Sequence, residues 1–106
     1  MPFRVSVTED AERDLEEIGE YIAENDSAGK AVYVLGKLEK TIEGLSNFPK
    51  RGSFPKELLD LGIRDFREVY FKPYRVVYKM AGDSVYVLLV ADGRRDMRAL
   101  LTQRLI

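Results

Sequence analysis

The sequence has no cysteine, no histidine and no tryptophan, and the first two absences close whole classes of chemistry. Without cysteine there is no disulfide framework and no thiolate metal site. Without histidine the other common transition-metal ligand is missing, and carboxylates alone seldom build a zinc site. Nucleophilic pairs of the Cys–His or Ser–His kind are excluded as well. No glycine-rich phosphate loop leads from a strand into a helix, so neither a metal nor an organic cofactor is expected. Long apolar runs are missing too. The opening "MPFRVSVTED" holds none, so neither a signal peptide nor a membrane span is expected, and the cytoplasm is the expected location. Prolines number four, and two fall in "SNFPKRGSFPKELLDLG", the one loop-like stretch. With 106 residues and no repeat, low-complexity tract or linker, residues 1–106 read as a single domain.

Charge is present in quantity but unevenly spread. The net charge of −1 conceals an acidic half followed by a basic half. Residues 1–50 carry six Lys/Arg against eleven Asp/Glu, whereas residues 51–106 carry eleven against seven. Such a division points the second half toward an anionic partner. The plainer reading is a solvated acidic helical surface.

The apolar pattern supplies the elements. Phe3, Val5 and Val7 alternate with polar neighbours, as a half-buried strand requires. Thr8 can cap a helix whose stripe is Ala11, Leu15, Ile18 and Ile22. Asn25-Asp26-Ser27 interrupts it, and a second stripe follows through Ala31, Leu35, Leu38, Ile42 and Leu45. A short turn between matched stripes makes an antiparallel helical hairpin. Gly36 and Gly44 are expected to mark close approach to a neighbour. Beyond the loop, "IRDFREVYF", "YRVVYKM" and "VYVLLVA" read as three strands, joined at Lys72-Pro73 and at "AGDS". The last is apolar on both faces and is expected to be central. "DMRALLTQRLI" forms a short helix with Met97, Leu100, Leu101 and Leu105 on one side. The expected fold is α+β, in the order β-α-α-β-β-β with a C-terminal helical tail. The hairpin packs on a small, mainly antiparallel sheet.

Arginines supply the chemistry. Alternation in "YRVVYKM" places Arg75, Val77 and Lys79 opposite Tyr74, Val76, Tyr78 and Met80. Arg67 shares the Arg75 face in one strand register, and Arg95 follows the third strand. Arg64, Arg67, Arg75 and Arg95 are therefore expected to gather near one sheet surface. There the planar guanidinium fork suits phosphate or carboxylate. A structural alternative stands beside this: Glu68 or Asp65 can pair with Arg75, and Asp92 and Asp96 can neutralise Arg94 and Arg95.

Four motifs carry a resemblance to a known family. They are "A-x-x-D-L-x-x-I-x-x-Y-I" (Ala11 to Ile22), "L-x-x-x-P-x-x-G" (Leu45 to Gly52), "P-Y-R-V-V-Y" (Pro73 to Tyr78) and "G-R-R-D" (Gly93 to Asp96). In order and spacing they resemble the RelE/ParE superfamily of type II toxin–antitoxin toxins across essentially the whole chain. RelE-like members cleave mRNA in the ribosomal A site, whereas ParE-like members inhibit DNA gyrase. By position, the resemblance carries the RelE-like strand arginine onto Arg75 and the following arginine onto Arg95, with Arg64 and Arg67 as weaker substitutes for the lysines. Those lysines fall on Phe66 and Glu68, and the expected tyrosine falls on Leu101. Cleavage through a 2′-hydroxyl needs a positioned acid or base, and arginine stays protonated. A pI of about 5.5 also suits ribosomal RNA poorly.

The resemblance thus implies a ParE-like gyrase inhibitor, assembled with a cognate antitoxin in a toxin–antitoxin hetero-oligomer. One alternative is a RelE-like ribosome-dependent endoribonuclease; a second is an inactive antitoxin-binding module. The tail, with Leu100, Leu101 and Leu105 beside Arg98 and Arg104, is the expected partner-binding surface.

Overall fold

Two capped helices begin the architecture. In the computed structural model, which describes residues 2–106, β1 (Arg4–Val7) leads into α1 (Glu9–Asn25) and α2 (Ala28–Glu43). Thr8 Oγ1 accepts from the Ala11 N–H at 3.3 Å, and Ser27 Oγ accepts from Lys30 N–H at 3.0 Å. Each bond satisfies an otherwise orphaned donor of the first turn. Glu9, Asp10 and Glu12 add negative charge where the α1 dipole favours it. The hairpin's close approach lies at neither Gly36 nor Gly44. It lies at Gly19, where an added Cβ would sit 2.8 Å from Leu35 Cδ1; at Gly36 the space is open, and Gly44 meets only the Arg51 side chain at 3.5 Å.

A 3-10 turn (Gly44–Ser46) ends the second stripe, and a one-turn helix α3 (Lys56–Leu59) forms within the stretch expected to be loop. The strands that follow are β2 (Arg67–Phe71), β3 (Tyr74–Ala81) and β4 (Ser84–Asp92), and α4 (Met97–Leu105) closes the chain. Residues 63–66 stay outside β2, which is shorter than expected, because Ile63 and Phe66 turn into a core instead of a ladder. The sheet order is β1-β4-β3-β2, antiparallel except for the β1–β4 pair. Gly82, at φ 61°, makes the two-residue turn between β3 and β4 possible.

The sheet separates two cores. Val76, Tyr78, Val85, Val87 and Val90 face the helical hairpin, with Ala11, Ile22, Leu38 and Ile42. Val77, Leu89 and Ala91 face the other way, onto Leu58, Met97 and Leu101. A bulge explains how β4 serves both. Val77 pairs with Leu89 and Tyr78 with Val87, so Leu88 is an extra residue that reverses the alternation. The strand is central and covered, as its composition implied.

Tyr78 fastens the hairpin side to the 47–55 segment. It is fully buried, its hydroxyl donates to the Pro49 carbonyl at 2.6 Å, and it accepts from Gly52 N–H at 3.1 Å. A Cβ at Gly52 would meet that oxygen at 2.5 Å and the Glu68 carbonyl at 2.6 Å. Glycine is required there.

Candidate functional site

Arg75 enters the sheet on the face opposite the hairpin and is buried at 7% relative exposure. Register sets its company. Tyr70 lies opposite Arg75, and Glu68 lies opposite its neighbour-but-one Val77, so all three share a face. Arg75 Nε donates to Glu68 Oε1 at 2.7 Å. Its Nη1 and Nη2 donate to the two oxygens of Glu57, at 2.8 and 2.7 Å. Tyr70 Oη donates to the remaining Glu68 oxygen at 2.9 Å. Glu57 is delivered by α3, so the fork ties that helix to the sheet. Gly93 permits the approach, since a Cβ there would stand 2.9 Å from Arg75 Cδ.

The electrostatics follow from these bonds. The Arg75 fork, bonded to both oxygens, holds the Glu57 carboxyl down at about 2, against an ordinary 4.5. Glu57 and then Glu68 in turn raise the Arg75 guanidinium further above its ordinary value. Burial, and then the bond to Glu68, raise the Tyr70 phenol. Among the described residues, no buried side-chain nitrogen or oxygen lacks a partner. The fork's recognition surface is occupied by two carboxylates, and the assembly carries no free acid or base.

The other arginines stand elsewhere. Arg67 pairs in register with Tyr78, which puts it on the opposite face from Arg75. Its guanidinium lies 4.6 Å above the Phe54 ring and donates to the Gly52 carbonyl at 2.8 Å. Arg64 joins Arg67 at that edge. Arg95 is exposed and lines a cavity of about 410 Å³ between α1 and the end of β4, with Ile18, Tyr21, Tyr74 and Arg94. The four-arginine cluster expected from alternation therefore does not form. The register of a short strand across Lys72-Pro73 decided it. Arg94 is neutralised by Asp92, at 2.5 Å, and this bond holds the Asp92 carboxyl below its ordinary value. Asp96 instead caps α4 by accepting from Ala99 N–H.

The tail is also not the free surface expected of it. Leu101 is fully buried, Met97 nearly so, and Leu100 and Leu105 pack against the same core. Arg104 donates to both oxygens of Asp14, at 2.9 and 3.0 Å, and Arg98 pairs with Asp60 at 3.0 Å. The apolar face of α4 covers the sheet because the hairpin leaves that side bare. Glu57 and Tyr70 were not singled out in the sequence. Glu57 sat in the apparent loop, and its one signal was the Lys56-Glu57-Leu58-Leu59 turn of a helix too short to show a period.

A helical hairpin packed on a four-stranded mixed sheet is the fold of the RelE/ParE class of toxins. Three solved structures share it. The chromosomal ParDE toxin–antitoxin system of P. aeruginosa matches with a TM-score of 0.72 at 14% identity, covering 85% of this chain and 95% of that one. The toxin–antitoxin complex RelBE2 of Mycobacterium tuberculosis matches with a TM-score of 0.63 at 21% identity, covering 87% and 99%. An arginine-to-alanine mutant of E. coli toxin RelE, in the free state, matches with a TM-score of 0.66 at 15% identity over all of both chains. Sequence narrows the class. Toxin ParE3 of Caulobacter vibrioides is 31% identical over 101 residues, covering 95% of this chain and 97% of the relative. The family profile for the ParE toxin of the type II toxin–antitoxin system, parDE, matches residues 5–97. The chain belongs to the ParE toxin family.

Proposed function

We propose that this toxin inhibits DNA gyrase, does not cut mRNA, and is held silent by a cognate antitoxin. One observation carries the first two parts. Arg75, the position that resembles the RelE-like strand arginine, is bonded by Glu57 and Glu68. A guanidinium so occupied has no open fork for a phosphate, and the carboxylates beside it repel one. The acids and bases beside it, Glu57, Glu68 and Tyr70, are bonded to Arg75 or to one another, and a carboxylate held as low as Glu57 is a weak base for the 2′-hydroxyl proton. Membership of the ParE family supports the gyrase target, which lies in the cytoplasm with the nucleoid. Among the described residues, no helix is long and apolar enough to cross a membrane.

The antitoxin reading draws on a different surface. Tyr21 and Tyr33 are exposed at 68% and 54%, beside Phe71, Tyr74 and Arg94, along a groove between the hairpin and the sheet end. Rigid aromatics with an arginine are the residues that dominate protein interfaces. An amphipathic segment that folds on binding suits such a groove, in a toxin–antitoxin hetero-oligomer.

Purified toxin, freed of any partner, decides the matter. Supercoiling by gyrase should be inhibited while ribosome-bound transcripts stay whole. Translation-dependent cleavage with gyrase unaffected would install the RelE-like reading. Growth that continues on induction of the lone chain would leave an inactive antitoxin-binding module.

A further inference from the structure

The basic excess of the second half is concentrated by ion pairing. Arg75, Arg94, Arg98 and Arg104 are each matched by carboxylates. Arg64, Arg67 and Lys79 make no ion pair among the described residues, and they share one notch with Phe54, Asp65 and Met80. The notch exists because β3 runs past the start of β2. Arg67 pairs with Tyr78, so Lys79 and Met80 have no β2 neighbour. Arg67 is its fixed point: the guanidinium lies on Phe54 and bonds the Gly52 and Lys50 carbonyls, partners that leave its charge uncompensated. Arg51 makes no ion pair among the described residues either, and it precedes Gly52, whose carbonyl Arg67 bonds.

We infer that this edge, built by Arg64, Arg67 and Lys79 and flanked by Arg51, docks on the phosphate backbone of duplex DNA. The choice of DNA rests on the gyrase reading, which brings the toxin to an enzyme that holds DNA. The chemistry itself is local. Three uncompensated cations face one carboxylate, Asp65, and the sheet edge offers no deep apolar slot for a peptide anchor. Guanidinium held flat and lysine on a flexible stem are phosphate ligands without base preference. The acidic hairpin repels DNA, so this edge is the face that approaches it, and binding by the lone chain is weak and strongly salt-dependent.

The test uses the full-length toxin, a short blunt DNA duplex and fluorescence anisotropy across a salt series, without gyrase. Arg64 and Lys79 are exposed and bond nothing internally, so Arg64→Ala/Lys79→Ala folds normally, and Arg67 is left in place. The expected result is weaker binding to every duplex sequence, with the log–log salt slope reduced by roughly 2. Lys30→Ala/Lys40→Ala, which removes two hairpin cations, should leave the slope unchanged. Equal loss in both double variants, or no duplex binding at low salt, would overturn the inference. So would a preference for duplex RNA, or equal competition by poly-glutamate, which would assign an RNA or an acidic protein to the edge. Because gyrase is absent, these outcomes are separate from those of the supercoiling assay.

Discussion

At the scale of residues, Arg75 decides more than any other side chain, and its neighbours make its role measurable. Removing it leaves Glu68 buried with a single tyrosine partner, so Arg75→Ala should destabilise the fold by about 3–5 kcal/mol in urea denaturation. Replacing the buried pair together, as Arg75→Met/Glu68→Leu, should cost less, because only the more exposed Glu57 carboxylate is then left unpaired. The Glu57 bond has a pH signature. Its carboxyl is lowered from 4.5 to about 2, so its contribution is complete above about pH 4.5 and is lost as the pH falls toward 2. The stability gap between wild type and Glu57→Gln, at most about 3 kcal/mol at neutral pH, should therefore close on acidification. Urea midpoints measured down to about pH 3 would show it. Arg75 and Glu68 could be paired on paper because alternation relates them. Glu57 could not, since nothing in a sequence brings a loop helix under a strand.

Among the elements, the long helices and the two strands flanking the Gly82 turn were readable because their periods run for several repeats. The failures fall where periodicity is too short to register. α3 spans four residues, and the register of β2 hangs on the tight Lys72-Pro73 connection. The bulge at Leu88 is a third case, visible beforehand only as a strand with too many apolar residues. The tail was identified as a helix but assigned to the wrong neighbour. Its apolar face is core, so Leu101→Ala should lower stability by about 2–5 kcal/mol, with partner binding affected only through folding. Truncation from Met97 would expose that core and would report stability in place of inhibition. The recognition motifs turn out to be architectural as well. Pro49, Gly52 and Tyr78 make one hydrogen-bonded clasp, Gly93 clears Arg75, and Asp14 anchors both Arg104 and the Val90 N–H. They reported the fold faithfully and were silent on the target.

Over the whole molecule, the acidic and basic halves noted in the sequence become two poles of one small body. The first pole is the hairpin. The second is the sheet edge of Arg64, Arg67 and Lys79, since at the end of β4 Asp92 pairs with Arg94 and leaves Arg95 alone without an ion pair there among the described residues. The aromatic groove between the hairpin and the Lys72-Pro73 end of the sheet is the proposed antitoxin seat. Tyr21→Asp and Tyr74→Asp should each weaken antitoxin binding in calorimetry by at least tenfold, about 1.4 kcal/mol, while gyrase inhibition by the free toxin persists. Loss of both together would place the two partners on one surface.

The parallel pairing of β1 with β4 has a bearing on how the toxin is made. Arg4 to Val7 find their strand partners at Ser84 to Val87, so the first strand waits for nearly the last. While the chain is being synthesised, the hairpin can coil, but the sheet it must cover is still inside the exit tunnel. A ribosome that stalls or drops off before β4 releases a fragment with exposed apolar stripes and no closed sheet, a substrate for proteases. The fold therefore closes late, and an incomplete message yields no closed sheet. Protease resistance of released chains, lengthened stepwise from Asp92 to Leu105, should appear in a single jump once α4 covers the second core.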